Sequence, residues 1–236
     1  MEKNNFFING IPAILWGKPS QQLFLYIHGK GGNKEEAQSF SGIVCQRGYQ
    51  VLSIDLPGHG QRKAEIDLFD PWHIIPELKG VMNYAKEQWK NISLYANSIG
   101  AWFSMLSFTE EFLEECFFVS PVVDMKRLVS KMMEWAKVSE AQLQQELIIS
   151  TDFGQTLSRE YWKYILEHPV TAWTFPTMVL YGEKDNLTDR DSIEDFARKF
   201  KCDLTIMKDG EHWFHTPEQL DVLEGWVKEN VPDKKC

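Results

Sequence analysis

Short apolar runs alternate with helical stretches along most of this 236-residue chain. The runs are four to seven residues long, too short for helices, whereas the stretches between them repeat apolar residues at three- and four-residue intervals. Such alternation is typical of a mostly parallel sheet with helices on both faces. The sequence therefore predicts an α/β fold with a doubly wound sheet. The predicted strands are 22–28, 50–55, 92–96, 116–120, 177–181 and 204–207, and the predicted helices between and after them are 34–47, 72–90, 98–108, 190–200 and 217–231.

Two further segments complete the predicted architecture. At the N-terminus, Asn9 and Gly10 separate two apolar runs, and both residues tolerate the positive φ of a tight hairpin turn, so an antiparallel hairpin is expected there. From 122 to 175 only helical periodicity is evident, with no convincing strand. We interpret 122–175 (the insert) as a helical cap inserted into an α/β core made of 1–121 and 176–236.

Composition narrows the possible partners. The net charge of −9 disfavours binding to nucleic acid or to anionic lipid, and no apolar run approaches the 18 residues of a membrane span. The N-terminus has no signal-peptide pattern, so a cytoplasmic location is expected. Cys45, Cys116, Cys202 and Cys236 share no short spacing, which favours reduced thiols, and the histidines form no metal-binding pattern. No metal or cofactor is predicted, and the oligomeric state stays open.

Three motifs carry chemistry, and each directly follows a predicted strand. Ser98, in the segment YANSIGA, lies between a strand and a helix with Gly100 two residues later, as a nucleophile on a sharp turn would, although Ala96 replaces the usual first glycine. A helix-capping serine would produce the same order. The other two motifs are HGKGG, beginning at His28, and DLPGHG, beginning at Asp55. Glycines in the first of them would let backbone amides approach an oxyanion.

Along the chain HGKGG comes first, DLPGHG second and the Ser98 segment third, and in that order the three motifs resemble the α/β-hydrolase family. The resemblance implies that an acid and then a histidine follow the serine. Asp185, after the strand ending at Tyr181, matches the acid, and His212, in DGEHWF before the last helix, matches the histidine. Rival positions are Asp124, Glu183 and Asp189 for the acid and His215 for the base.

The family's chemistry implies a Ser98-His212-Asp185 triad in which the backbone amides of Lys30 and Ile99 bind the oxyanion. Hydrolysis of a small carboxylic ester or thioester is the leading interpretation. An amide, lactone or carbon–carbon bond hydrolase and a non-catalytic ligand-binding protein are the alternatives. A cap facing the sheet needs an apolar inner face, so tryptophans are candidates for the substrate pocket. These candidates are Trp102, Trp135, Trp162 and Trp213.

Overall fold

A computed structural model of the protein describes residues 1–234 and has the predicted α/β architecture. The strands are β1 (Lys3–Ile8), β2 (Ile11–Trp16), β3 (Gln22–Ile27), β4 (Gln50–Ile54), β5 (Asn91–Asn97), β6 (Cys116–Val119), β7 (Ile148–Ser150), β8 (Thr156–Ser158), β9 (Thr177–Gly182) and β10 (Asp203–Met207). The α-helices are α1 (Ala37–Val44), α2 (Pro71–Gln88), α3 (Ile99–Ser107), α4 (Met125–Ala136), α5 (Glu140–Glu146), α6 (Arg159–Glu167), α7 (Arg190–Phe200) and α8 (Pro217–Asn230).

Eight of the strands form one sheet in the order β1-β2-β4-β3-β5-β6-β9-β10. Every neighbouring pair from β4 to β10 is parallel, and β1 and β2 add an antiparallel edge. Because β3, β5 and β9 are parallel, the loops that leave them emerge at the same edge of the sheet. The three predicted chemical motifs follow β3, β4 and β5, and the Asp185 loop follows β9. The doubly wound, mostly parallel sheet is therefore confirmed.

The N-terminal hairpin is also confirmed. β1 and β2 pair antiparallel, with Ile8 opposite Ile11 and only Asn9 and Gly10 between them. Both turn residues have positive φ, 49° and 86°, which is the backbone conformation that a two-residue hairpin turn requires.

Apolar residues cover both faces of the sheet, and β3 shows how the sequence produces this. Leu23, Leu25 and Ile27 point to the cluster formed with α2, α3, α7 and the insert, whereas Phe24 and Tyr26 point to the cluster formed with α1 and α8. Successive side chains of a strand lie on opposite faces, so a strand buried on both sides is apolar at every position.

The insert differs from its prediction, because it contains strands. β7 and β8 form a short hairpin, with Ile149 opposite Leu157, and the expectation of helices alone was wrong. Ser158 marks the boundary between β8 and the last helix of the insert: its side chain accepts a hydrogen bond from the Tyr161 amide and caps α6, so the helix begins at Arg159. Three-residue strands are too short to show alternation in a sequence.

Two further predictions concern the cysteines and membrane-spanning helices. Cys45, Cys116 and Cys202 are free thiols, and Cys236 lies outside the described residues. Within residues 1–234, no helix combines the length and apolar character that crossing a bilayer requires.

Candidate active site

Ser98 occupies a sharp turn between β5 and α3. Its backbone has φ 50° and ψ −122°, a combination that a non-glycine residue adopts only under strain. Three backbone hydrogen bonds hold it: its N–H donates to Val119 O, and its carbonyl accepts from the amides of Ala101 and Val122. The turn places Ser98 directly before the first turn of α3.

Gly100 is required by close contact rather than by its own backbone conformation. A Cβ at this position would lie 2.5 Å from the carbonyl oxygen of His28 and 2.9 Å from that of Ile27. The second glycine of the motif therefore allows the start of α3 to pack directly on the end of β3. Ala96, at the first glycine position of the motif, is fully buried in the core.

We expect Gly100→Ala to destabilise the protein by about 1–3 kcal/mol or more, because the new methyl group meets backbone atoms that cannot move independently. Gly42→Ala is the matched control, since Gly42 lies in α1 with nothing within 4 Å of an added Cβ, and we expect it to be neutral or stabilising by up to about 1 kcal/mol. Urea unfolding of both variants measures the difference. Equal unfolding free energies would contradict the contact argument.

The side chains of Ser98, His212 and Asp185 form one continuous chain of hydrogen bonds. Ser98 Oγ lies 2.8 Å from His212 Nε2, and His212 Nδ1 lies 2.7 Å from Asp185 Oδ2. An ionised carboxylate only accepts, so the ring proton belongs on Nδ1 and Nε2 is free to accept from the serine hydroxyl. The three residues are 114 and 27 positions apart along the chain, and the fold brings them together.

Asp185 is oriented by its own loop. Its side chain is fully buried, and its second oxygen, Oδ1, accepts hydrogen bonds from the amides of Leu187 and Thr188 at 2.8 and 2.9 Å. Gly182, at the end of β9, makes room for the histidine loop, because a Cβ there would lie 2.5 Å from the carbonyl of Glu211.

The rival residues have other partners. Asp189 accepts from Arg127 and Lys131, which ties α4 to the start of α7. Asp124 caps α4, and Glu183 accepts from the Asp209 amide. The remaining rival, His215, stacks on Trp213 at the surface and donates from Nδ1 to the Trp213 carbonyl.

The HGKGG loop lies against the serine. Residues 29–32 form a turn in which the Gly32 amide donates to Gly29 O and Gly31 has φ 82°. A Cβ on Gly29 would lie 3.1 Å from Ser98 Cβ, so this turn passes directly beside the nucleophile candidate. Among residues 1–234 the amides of Lys30 and Ile99 have no acceptor, which leaves both available to a developing oxyanion.

Two neutral histidines join this loop to the DLPGHG loop. The Leu56 amide donates to His28 Nε2 at 3.0 Å, and the Gly31 amide donates to His59 Nε2 at 2.9 Å. Both imidazoles must be unprotonated at Nε2 to accept, and the environment favours that state. Burial lowers the pKa of His28 to about 4, and burial followed by the nearby charge of Lys30 lowers the pKa of His59.

The lowered pKa of His28 predicts a stability loss in acid. As the pH falls below about 6.5, an unfolded His28 binds a proton, while the folded one stays neutral until about pH 4. The free energy of unfolding should therefore fall by about 3 kcal/mol across that window from this residue, at ~1.4 kcal/mol per pKa unit. Urea unfolding between pH 7 and pH 4 measures the fall. In His28→Gln it should be smaller, and an identical pH dependence would contradict the assignment.

A buried ion pair that was not predicted from the sequence supports both loops. Lys34 Nζ lies 2.7 Å from Asp55 Oδ2, both side chains are buried, and the Lys34 and Gln61 amides also donate to this carboxylate. Asp55 opens the DLPGHG motif, and a lysine two residues after HGKGG was the signal available. The pair ties the turn that precedes α1 to the residue that directly follows β4.

The four tryptophans predicted for the pocket lie in different surroundings. Trp102 and Trp162 are 1% and 4% exposed within the core, and Trp162 donates to Glu140. Trp135 and Trp213 are 46% and 73% exposed. Trp102 also lines a groove of about 440 Å³ between the insert and α7. The pocket role of all four stays a prediction.

Comparisons with known proteins agree with this architecture. Residues 103–218 match the family model described as alpha/beta hydrolase fold, and no match was found among curated proteins. Est1E from Butyrivibrio proteoclasticus with bound ferulic acid has a TM-score of 0.78 at 19% identity, with 96% of each chain covered. A putative hydrolase from Agrobacterium vitis S4 has a TM-score of 0.76 at 14% identity, covering 97% of this chain and 98% of that one. The thioesterase domain from the curacin biosynthetic pathway has a TM-score of 0.62 at 16% identity, covering 96% and 99%.

Proposed function

Since this chain is a member of the α/β-hydrolase fold family, we propose that it is a serine hydrolase that cleaves a small carboxylic ester or thioester. The observation that carries the proposal is the hydrogen-bonded chain from Ser98 Oγ through His212 to Asp185, at 2.8 and 2.7 Å. A serine hydroxyl is a weak nucleophile at neutral pH, and this arrangement supplies the base that it needs.

In the proposed mechanism, His212 Nε2 removes the hydroxyl proton as Ser98 Oγ attacks the acyl carbon. Asp185 stabilises the resulting imidazolium and keeps the ring oriented. The amides of Lys30 and Ile99 bind the oxyanion of the tetrahedral intermediate. His212 then protonates the leaving alcohol or thiol, and a water molecule activated by the same nitrogen hydrolyses the acyl-enzyme.

The choice of ester and thioester substrates rests on two kinds of support. A serine at the sharp turn favours acyl transfer over dehalogenation, which would use a carboxylate there. Among the similar structures, Est1E binds ferulic acid, a carboxylic acid, and another is a thioesterase domain.

We also propose that the insert at 122–175 covers the site and selects the substrate. It is tied to the catalytic loops at two places: Arg127 and Lys131 of α4 bind Asp189 next to the Asp185 loop, and Gln155 contacts Lys30 of the HGKGG loop. A cover that rests on both loops excludes water from the reaction.

A panel of p-nitrophenyl esters of increasing chain length, together with acyl thioesters, tests the proposed function. We expect measurable turnover of at least one short or medium member by the purified protein, with a burst of nitrophenol if deacylation is slow. Absence of turnover with every ester and thioester of the panel would contradict the proposed function.

A further inference from the structure

The side chain of Lys30 is an unused cation at the edge of the candidate site. Only its backbone amide enters the proposed mechanism. Lys30 directly follows Gly29, and a Cβ added to Gly29 would lie 3.1 Å from Ser98 Cβ.

No carboxylate within residues 1–234 forms an ion pair with Lys30. The contrast with Lys34 is clear, since that lysine, four residues later, binds Asp55 and Glu35. Lys30 is exposed overall, although the packing around its ammonium lowers its pKa, and its charge contributes to the lowered pKa of His59. In a chain with a net charge of −9, an accessible lysine without an acidic partner is an open position for an anion.

The insert holds this cation in place through a neutral group. Lys30 Nζ donates to the side-chain oxygen of Gln155, at the base of the turn that joins β7 and β8. That turn is itself braced, because the Thr151 amide and hydroxyl both donate to the Gln155 carbonyl. An amide orients the ammonium without neutralising its charge, whereas a glutamate at 155 would neutralise it.

We propose that Lys30 is a specificity-determining residue that binds an anionic group, such as a carboxylate, carried by the substrate. Gln155, whose side-chain oxygen accepts from Nζ, is the positioning residue for the ammonium. The inference rests on the proposed serine hydrolase function and adds a charge preference to it. The anion belongs either to the acyl chain or to the leaving group, and the test separates these two sources.

The experiment measures kcat/KM for three esters in the 236-residue protein. They are p-nitrophenyl hexanoate, the mono-p-nitrophenyl ester of adipate, and the hexanoate ester of a nitrophenol that carries a carboxylate. For each variant, the kcat/KM of an anionic ester is divided by the kcat/KM of p-nitrophenyl hexanoate, so differences in the fraction of active protein cancel. Lys30→Met should lower this ratio at least about tenfold for one of the two anionic esters, because a charged hydrogen bond is lost. The ester affected identifies the source of the anion.

Three further variants sharpen the result. Gln155→Glu should lower the same ratio, because it gives Lys30 an internal carboxylate, and Lys30→Arg should retain most of it, because it keeps the charge. Lys79→Met is the control for net charge: Lys79 is an exposed residue of α2 that is not part of the catalytic loops, and the ratio should not change.

The possible failures are distinguishable. If wild-type protein hydrolyses the esters and Lys30→Met leaves both ratios unchanged, the inference is overturned while the hydrolase function stands. The same holds if Lys79→Met lowers the ratio as much as Lys30→Met does. If wild-type protein hydrolyses none of the esters and Ser98 reacts with no fluorophosphonate, the proposed function fails and the inference fails with it.

Discussion

Ser98→Ala is expected to abolish both covalent labelling by a fluorophosphonate and ester hydrolysis. The probe needs an activated hydroxyl, and Ser98 is the serine whose Oγ lies 2.8 Å from an imidazole nitrogen that Asp185 orients. Intact-mass spectrometry should show one adduct on the wild-type protein and none on the variant. Hydrolysis of p-nitrophenyl esters should fall by about 10⁴-fold or more.

Ser107→Ala is the matched control for this loss. Ser107 lies in α3, the helix that Ser98 precedes, and its hydroxyl only donates to the Phe103 carbonyl. Its removal should leave the adduct in place. An adduct that persists in Ser98→Ala would show that the nucleophile is another residue. An adduct on Ser98 without turnover of any ester, thioester or amide would favour a ligand-binding protein.

His212→Ala should reduce turnover by about 10⁴-fold or more, whereas His215→Ala should stay within about tenfold of the wild type. His212 is the only one of the two that contacts both Ser98 and Asp185. His215 stacks on Trp213 at the surface, and its nearest carboxylate is that of Glu211 at 3.5 Å. The two substitutions remove the same ring from positions three residues apart, so each is a control for the other.

Steady-state kinetics on one p-nitrophenyl ester compares the two variants directly. Because the serine and the histidine act as a unit, adding His212→Ala to Ser98→Ala should cause little further loss. If His215→Ala were the inactive variant, the base would be misassigned. Comparable small losses in both variants would argue against histidine-assisted attack altogether.

Local patterns predicted the elements that position the site. The strand–Ser98–helix turn could be predicted from Ser98 and Gly100 because the chain must turn sharply between a strand and a helix, and glycine alone fits the approach to His28 O. The N-terminal hairpin could also be predicted from the sequence, since Asn9 and Gly10 are residues that accept positive φ. In both cases the cause is a steric property of a few adjacent residues, so a short sequence window contains it.

Longer-range features needed the fold. The resemblance favoured Asp185 over the rival acids Asp124, Glu183 and Asp189. The sequence alone could not show that Arg127 and Lys131 bind Asp189. The β7–β8 hairpin was not predicted because a three-residue strand is too short to show an alternation of apolar and polar residues. The exposure of Trp213 and the burial of Trp102 depend on which element covers them, which neighbouring residues do not specify.

By itself, the sequence determined the α/β layering, the N-terminal hairpin and the strand–Ser98–helix turn, because hydrophobic period and glycine sterics act within a few residues. Only the tertiary structure decided which acid meets His212, that Lys34 pairs with Asp55, and that Gln155 of the insert reaches Lys30 125 residues away along the chain. Those contacts depend on how separate elements pack against one another. The free energy of each pairing is set by burial and by neighbours that the folded chain alone assembles.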